Sequence, residues 1–406
     1  MKAPLEGIRV VDFGWRATAP IAARMLAWHG AEVIRIESFT RLCGMRQSPP
    51  FPPGTENSLN TSGYFNNFNS SKLAATLNLT FPDAKEIAKG LIKISDVVVE
   101  NFAAGVMDKL GLGYRDLVKI KPDIVMISHA LMGTSGPWKR VSGHGPNVQA
   151  LAGLDQISGY PDRAPIGSGV AHTDYIVNPH HSSFAILAAL YHRRRTGRGQ
   201  YIDLAQYESV INATGPMMLD YFANGRVQGR IGNRHPQAAP HGVYRCRGED
   251  DNWCAITVFA DEEWQQLCQA MGRPELARDP RFDCLECRQA NEDALDRIVE
   301  GWTSQQTRQD VMEQLQRLGV AAGAVQHAGD LLRGDLQMRA RGHYRYPEHP
   351  EAGQRAYDGP PFRFSSALSR VERAPLLGEH NEYVYRELLG LQDETMGAHY
   401  AQGVFA

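Results

Sequence analysis

Ile8-Arg9-Val10-Val11-Asp12-Phe13, then Pro20 to His29, then Glu32-Val33-Ile34-Arg35-Ile36-Glu37 is the stretch that decides the fold. The outer pieces are apolar and β-branched, as strands are, and the middle piece carries a helical pattern of apolar residues. Strand, helix and strand in so short a span make a βαβ unit with parallel strands. A second cycle follows, with a helix over Asp83 to Ile94, a strand over Asp96 to Glu100, a helix near Tyr114 to Lys121 and a strand over Ile124 to Ser128. Repeated alternation of this kind predicts a Rossmann-like, doubly wound α/β fold with a parallel sheet.

Outward from these cycles, Cys43 to Ser62 and Gly133 to Pro146 are rich in Gly, Pro, Ser and Asn. Both read as long loops, which is where α/β domains handle ligands. Ser183 to Arg195 carries a helical apolar stripe ending in Arg193-Arg194-Arg195, cations that complement a helix C-terminus or meet a phosphate. The breaker Thr196 to Gln200 then leads into a strand over Tyr201 to Leu204. Beyond residue 225 the character changes. Strands at Val243 to Cys246 and Trp253 to Val258 precede helical patterns from Asp261 to Leu318. The expected organisation is a large domain over residues 1–224, a smaller α/β domain over 225–330 and a return segment over 331–406 that completes the large one.

The chain has 406 residues, 43% of them hydrophobic and 22% charged, the composition of an ordinary globular protein. Forty-three Lys and Arg against 45 Asp and Glu leave a net charge of −2, so no global field recruits nucleic acid or an anionic membrane. Neither a signal-like start nor a long apolar run is present, and a cytoplasmic location is the expectation. The six cysteines are then expected to remain thiols. Cys284 and Cys287 form a CxxC, but with no second pair and no histidine set no metal is expected, and one turn of loop or helix is the reading.

The first strand-to-helix turn, Asp12 to Ala19, lacks the G-x-G-x-x-G of dinucleotide binding, and no P-loop, H-E-x-x-H or G-x-S-x-G is found. What remains is Asp174, within Gly167 to Pro179. Asn178 reads as a helix N-cap and Pro179 as the first helical residue, which sets backbone N–H groups and a positive dipole end near the acid. Such a place can hold an anionic nucleophile. A loop aspartate satisfying local amides has the same signature.

Whole-chain resemblance separates the two readings. Pro4 to Asp12, Ala27-Trp28-His29-Gly30-Ala31-Glu32-Val33-Ile34, Asp96 to Phe102, Leu110 to Tyr114, Gly133 to Pro137, Leu187-Ala188-Ala189-Leu190, Arg195 to Asp203, Gly232-Asn233-Arg234, Pro240 to Tyr244 and Gly378 to Asn381 stand in order along the chain. Together they resemble the class III CoA-transferases, the CaiB/BaiF and formyl-CoA transferase-like family. The resemblance implies two α/β domains, subunits interlocked as a dimer, coenzyme A as co-substrate with no tightly bound cofactor, and an aspartate nucleophile matching Asp174. It implies CoA contacts from Arg16, Ala17, Thr18, Ala19, Arg35, Lys72, Asn101 and Phe102. The family's Arg-Pro after the Asn-Phe pair is here Ala103-Ala104, and the family's glycine after the aspartate is here Asn178-Pro179 with one extra residue.

Within the family the nearest likeness is to enzymes moving CoA from succinyl-CoA to a substituted dicarboxylate, such as the benzylsuccinate and malate transferases. Some of these pair two homologous subunits, so the expected assembly is a homodimer, a heterodimer or a heterotetramer. Candidate anchors for the acid substrate are His144, His172, His180, Arg234 and His241, with His181 and His235 nearby. Two other readings are an acyl-CoA racemase of the same fold, using a His and Asp pair, and a non-catalytic partner subunit.

Overall fold

A computed structural model describes residues 2–249 and 251–406. Six strands, β1 (Arg9–Asp12), β2 (Glu32–Glu37), β3 (Leu73–Thr76), β4 (Val97–Glu100), β5 (Val125–Ser128) and β6 (Gln200–Asp203), form one sheet. Their order is β3-β2-β1-β4-β5-β6 and every pairing is parallel. Helix α1 (Thr18–Trp28) crosses from β1 to β2, and Pro82–Lys93 crosses from β3 to β4. The central strands are buried on both faces, which is why they read as unbroken apolar runs. Val11, Ile34, Val98 and Met126 pack on one side with Ile87 and Leu91. Val10, Val33, Val97 and Val125 pack on the other with Leu26, Ile186 and Leu190.

β3 was not expected. Leu73-Ala74-Ala75-Thr76 has no β-branched run and becomes a strand by pairing with β2, Ile34 opposite Leu73. Its outer edge is then covered by the C-terminal segment. The Asn78 N–H donates to the Val404 carbonyl (2.8 Å), Thr76 Oγ1 to the Phe405 carbonyl (2.7 Å) and the Tyr385 hydroxyl to the Thr76 carbonyl (2.8 Å). An edge dressed this way offers no free ladder to another chain.

The chain divides into two compact units, one made of Met1–Leu154, Gly167–Val227 and Leu336–Ala406, the other of Asp155–Ile166 and Gln228–Asp335. The short piece Asp155–Ile166, which the sequence placed in the large domain, belongs with the second unit. There β7 (His241–Arg245), β8 (Trp253–Thr257) and β9 (Ala321–Ala324) form an antiparallel sheet. Trp264, Leu267, Phe282, Leu295, Val299, Val311 and Leu315 build its core. Cys284 and Cys287 are joined there as a disulfide, where free thiols were expected, with the Cys284 sulfur also accepting the Cys287 N–H at the head of helix Leu285–Ala290. No helix among the described residues is long and apolar enough to cross a membrane.

The ends of β1 and β2 carry a fully buried set of charges. Lys72 Nζ lies 2.7 Å from Asp12 Oδ2 and also donates to the Pro20 carbonyl and Asn69 Oδ1. Arg35 donates to the Gly14 carbonyl (2.8 Å) and stands 3.6 Å from Asp12 and 3.4 Å from Glu37. Glu37 in turn grips Arg46 at 2.7 Å, and Arg46 lies on the Phe65 ring. Arg35 is 0% exposed and Lys72 3%, so in place of the CoA contacts the resemblance implied for them, both cations are found paired with acids inside the protein. Burial drives the Lys72 ammonium down to about 8, and Asp12 is what keeps it from falling further. Removing one partner of a buried pair strands the other charge. Lys72→Ala should therefore cost about 3–5 kcal/mol, read as a lowered urea midpoint; an unchanged midpoint with weakened CoA binding would restore the ligand role.

Candidate active site

Asp12 also shapes the first turn of the site. Its Oδ1 accepts the Gly14 N–H at 2.7 Å. A Cβ on Gly14 would sit 2.6 Å from that same oxygen and 2.7 Å from the Ala19 Cβ, so only glycine fits where β1 turns into α1. The next residues are displayed outward. Arg16 is exposed and takes a left-handed backbone, φ 59°, a conformation that costs a side-chain-bearing residue energy. Asn101, after β4, clamps this turn from the side. Its Oδ1 accepts from the Trp15 N–H (2.7 Å) and its Nδ2 donates to the Trp15 carbonyl (2.8 Å). Phe102 meets the Trp15 ring edge to face at 6.3 Å.

Asp174 approaches from the opposite wall. It lies in a π-helical turn, Thr173–Val177, that runs straight into the helix Asn178–Thr196. Asn178 is helical (φ −64°, ψ −46°), so it does not cap the helix as its type suggested. It is buried, with its amide 3.5 Å from Gln206 Oε1. Tyr175 is held among Phe68 (5.2 Å) and Tyr64 (6.5 Å), which anchors the π turn. Asp174 Oδ2 accepts the N–H of Gly145 at 3.1 Å. A Cβ at position 145 would lie 2.5 Å from that oxygen, so the carboxylate rests against a glycine backbone. Desolvation raises the Asp174 pKa above the usual carboxylate value, while the Gly145 N–H, His144, the Thr18 hydroxyl and Arg16 oppose the rise.

These groups enclose a cavity of about 280 Å³ at the C-terminal ends of β1, β4 and β5. That is the crevice where β1 has β2 on one side and β4 on the other, the switch point at which doubly wound sheets bind ligands. Of the residues singled out in the sequence, Arg16, Ala17, Thr18, Asn101, Phe102, His144 and Asp174 line it. Ala19 is wholly buried in α1. His180 and His181 turn their Nδ1 atoms to the carbonyls of Ile176 and Val177 and border a different hollow with Asn212 and Ala213. His172, half-buried ahead of the π turn, does not line the cavity.

Arg234 and His241 belong to the second unit. Three carboxylates, Glu292, Asp293 and Asp296, take up the Arg234 guanidinium, and His241 Nδ1 bonds the Asn233 carbonyl. The sequence reading missed Lys139, Gly145 and Gln206, all on the cavity wall. For the first two a signal existed, since both fall in the Gly133 to Pro146 loop.

The family model described as CoA-transferase family III matches residues 5–381. Over 403 residues the chain is 30% identical to a succinyl-CoA–D-citramalate CoA-transferase of Chloroflexus aurantiacus, covering 97% of this chain and 96% of that one. It is 32% identical to the beta subunit of a succinyl-CoA–L-malate CoA-transferase of the same organism, again over 97% and 96% of the two chains. A crystal structure of a CAIB/BAIF family protein from Brucella suis superimposes with a TM-score of 0.88 at 32% identity, over 96% of this chain and 100% of that one. With the match spanning nearly its whole length, this chain belongs to CoA-transferase family III and is an enzyme of that class.

Proposed function

We propose that the enzyme moves CoA from a donor acyl-CoA, succinyl-CoA in the first instance, to a dicarboxylic acid, with Asp174 as nucleophile. The observation that carries this reading is the Asp174 carboxylate held by one oxygen on the Gly145 N–H in a cavity at the sheet switch point. Asp174 Oδ1 attacks the thioester carbonyl and CoA leaves as thiolate, giving a mixed anhydride. The thiolate then attacks the aspartyl carbonyl, releasing the donor carboxylate and leaving an aspartyl-CoA thioester. An acceptor carboxylate attacks that thioester, and the thiolate returns to the acceptor carbonyl, freeing the new acyl-CoA and Asp174. The thioester energy is kept throughout, provided water is kept out. The Chloroflexus relatives named for citramalate and malate favour a dicarboxylate acceptor. Benzylsuccinate, a bulkier member of that class, is one acceptor to assay.

His144 gives the second reading its footing, because a histidine beside Asp174 in one cavity is also the equipment of an acid and base pair at an acyl-CoA α-carbon. For assembly, we read the enzyme as a dimer of like or homologous subunits. Phe184 and Tyr191 on helix Asn178–Thr196 are 75% and 64% exposed, and Phe222 on helix Gly215–Asn224 is 89% exposed. Large rings in water at this density are the mark of an interface. The malate relative named as a beta subunit makes a homologous partner a natural alternative to a second copy.

Incubation with succinyl-CoA and hydroxylamine should modify Asp174, found by peptide mass; solvent proton exchange without modification would give the racemase reading instead. Asp174→Asn should abolish transfer with the fold intact, and the acid limb of kcat/KM in the wild type should lie above the 3.8 of an ordinary aspartate, because a raised carboxyl must lose its proton before it attacks. Gly145→Ala should lower kcat on the order of 10²-fold by displacing the Asp174 carboxylate, with an unchanged melting curve as control. Sedimentation should find a dimer, and Phe222→Asp should shift it toward monomer; a wild-type monomer at micromolar concentration would exclude that assembly.

A further inference from the structure

Arg16 is the one cavity-lining arginine, and the structure gives it no carboxylate partner among the described residues. The other cations near this turn are buried with acids, Arg35 and Arg46 beside Asp12 and Glu37 and Lys72 beside Asp12, and the second cation on the cavity wall is Lys139. Arg41 lies on the Trp15 ring instead. Arg16 alone stands exposed on a left-handed backbone, a strained conformation that a surface arginine has no reason to keep. The backbone at this point is determined by what flanks it, the Gly14 turn pinned by Asp12 on one side and Trp15 clamped by Asn101 on the other. A cation displayed by a backbone held on both sides, in the same cavity as the nucleophile, is placed to meet an anion.

Which anion follows from where Arg16 stands along the substrate. Asp174 must touch the thioester carbon, and Arg16 is close enough to Asp174 to influence its proton affinity. The pyrophosphate of CoA is separated from the thioester by the whole pantetheine arm. A guanidinium in the same small cavity as the nucleophile therefore meets the acyl group, not the nucleotide. We propose that Arg16 forms a carboxylate subsite that grips the remote carboxylate of a dicarboxylic acyl group, and so selects ω-carboxyacyl-CoA thioesters over neutral ones. Arginine suits this because its planar fork binds a carboxylate through two parallel hydrogen bonds. A neutral acyl chain placed there would leave the guanidinium facing a methyl group and forgo both charge-assisted hydrogen bonds, and that loss is the source of the preference.

The inference rests on the transferase reading for its substrate, and the test separates the two. Binding is measured in the chemically silent Asp174→Asn protein, with succinyl-CoA and butyryl-CoA as probes. The expected result is that succinyl-CoA binds tenfold or more tightly, and that adding Arg16→Gly removes the difference. Glycine is chosen because it accepts the left-handed φ without strain, so the fold is retained, which a melting curve checks. Arg16→Lys should recover part of the preference, as a point charge without the fork. Equal weakening of both thioesters by Arg16→Gly would assign Arg16 to CoA itself and overturn the subsite, as would no preference to begin with. Turnover of the wild type is scored separately: an Arg16-dependent preference without CoA transfer would keep the subsite and refute the transferase reading.

Discussion

Asp12 is the constraint on which the site depends. Its carboxylate, 0% exposed at the end of β1, accepts a backbone N–H on one oxygen and the Lys72 ammonium on the other. In a low-dielectric interior such a charge is tolerable only when every lone pair is met. The residues that meet it come from three places, the β1 turn, β2 through Arg35 and the start of β3 through Lys72. Satisfying one carboxylate thus fixes the relative positions of three strand ends. The same chain of charge runs on through Glu37 to Arg46, whose guanidinium also holds the Leu59 carbonyl and Asn60 Oδ1. A loop that composition would leave on the surface is therefore drawn inward by a fully buried arginine.

The network divides the cations of this region by function. Arg35, Arg46 and Lys72 neutralise buried acids and lie inside the protein. Arg16 and Lys139 stay at the cavity wall. The two groups cannot be exchanged, because the first supports the turn from which Arg16 is displayed. Asn101 makes the same point with hydrogen bonds. Its amide bonds the Trp15 backbone through both Oδ1 and Nδ2 and so holds the wall in place.

Much of this was legible in the sequence where one physical rule dominates. Strands buried on both faces must be apolar throughout, and β1, β2, β4 and β5 were each found within a residue or two of their bounds. β3 escaped because its strand state comes from pairing rather than from its own residues. Resemblance singled out Asp174 and residue type the Gly133 to Pro146 loop, but neither says what a charge is paired with. Arg35 and Lys72 match the pattern of phosphate ligands equally well whether exposed or buried, and only the three-dimensional partners decide. His180 and Arg234 misled for the same reason: a side chain that finds a local carbonyl or three carboxylates is already satisfied.

The departure at Asn178-Pro179 has a structural resolution that composition could not supply. An i to i+5 turn encloses one residue more than an α-turn, so an extra residue ahead of a helix can be absorbed without unwinding it. Thr173–Val177 is such a turn, and the helix continues with Asn178 inside it. From within this turn Asp174 meets the Gly145 N–H at 3.1 Å. Gly145 has to be glycine because the carboxylate occupies the space of its Cβ. The π turn and the missing side chain at 145 therefore act together: they bring a helical aspartate within 3.1 Å of a backbone N–H on the cavity wall.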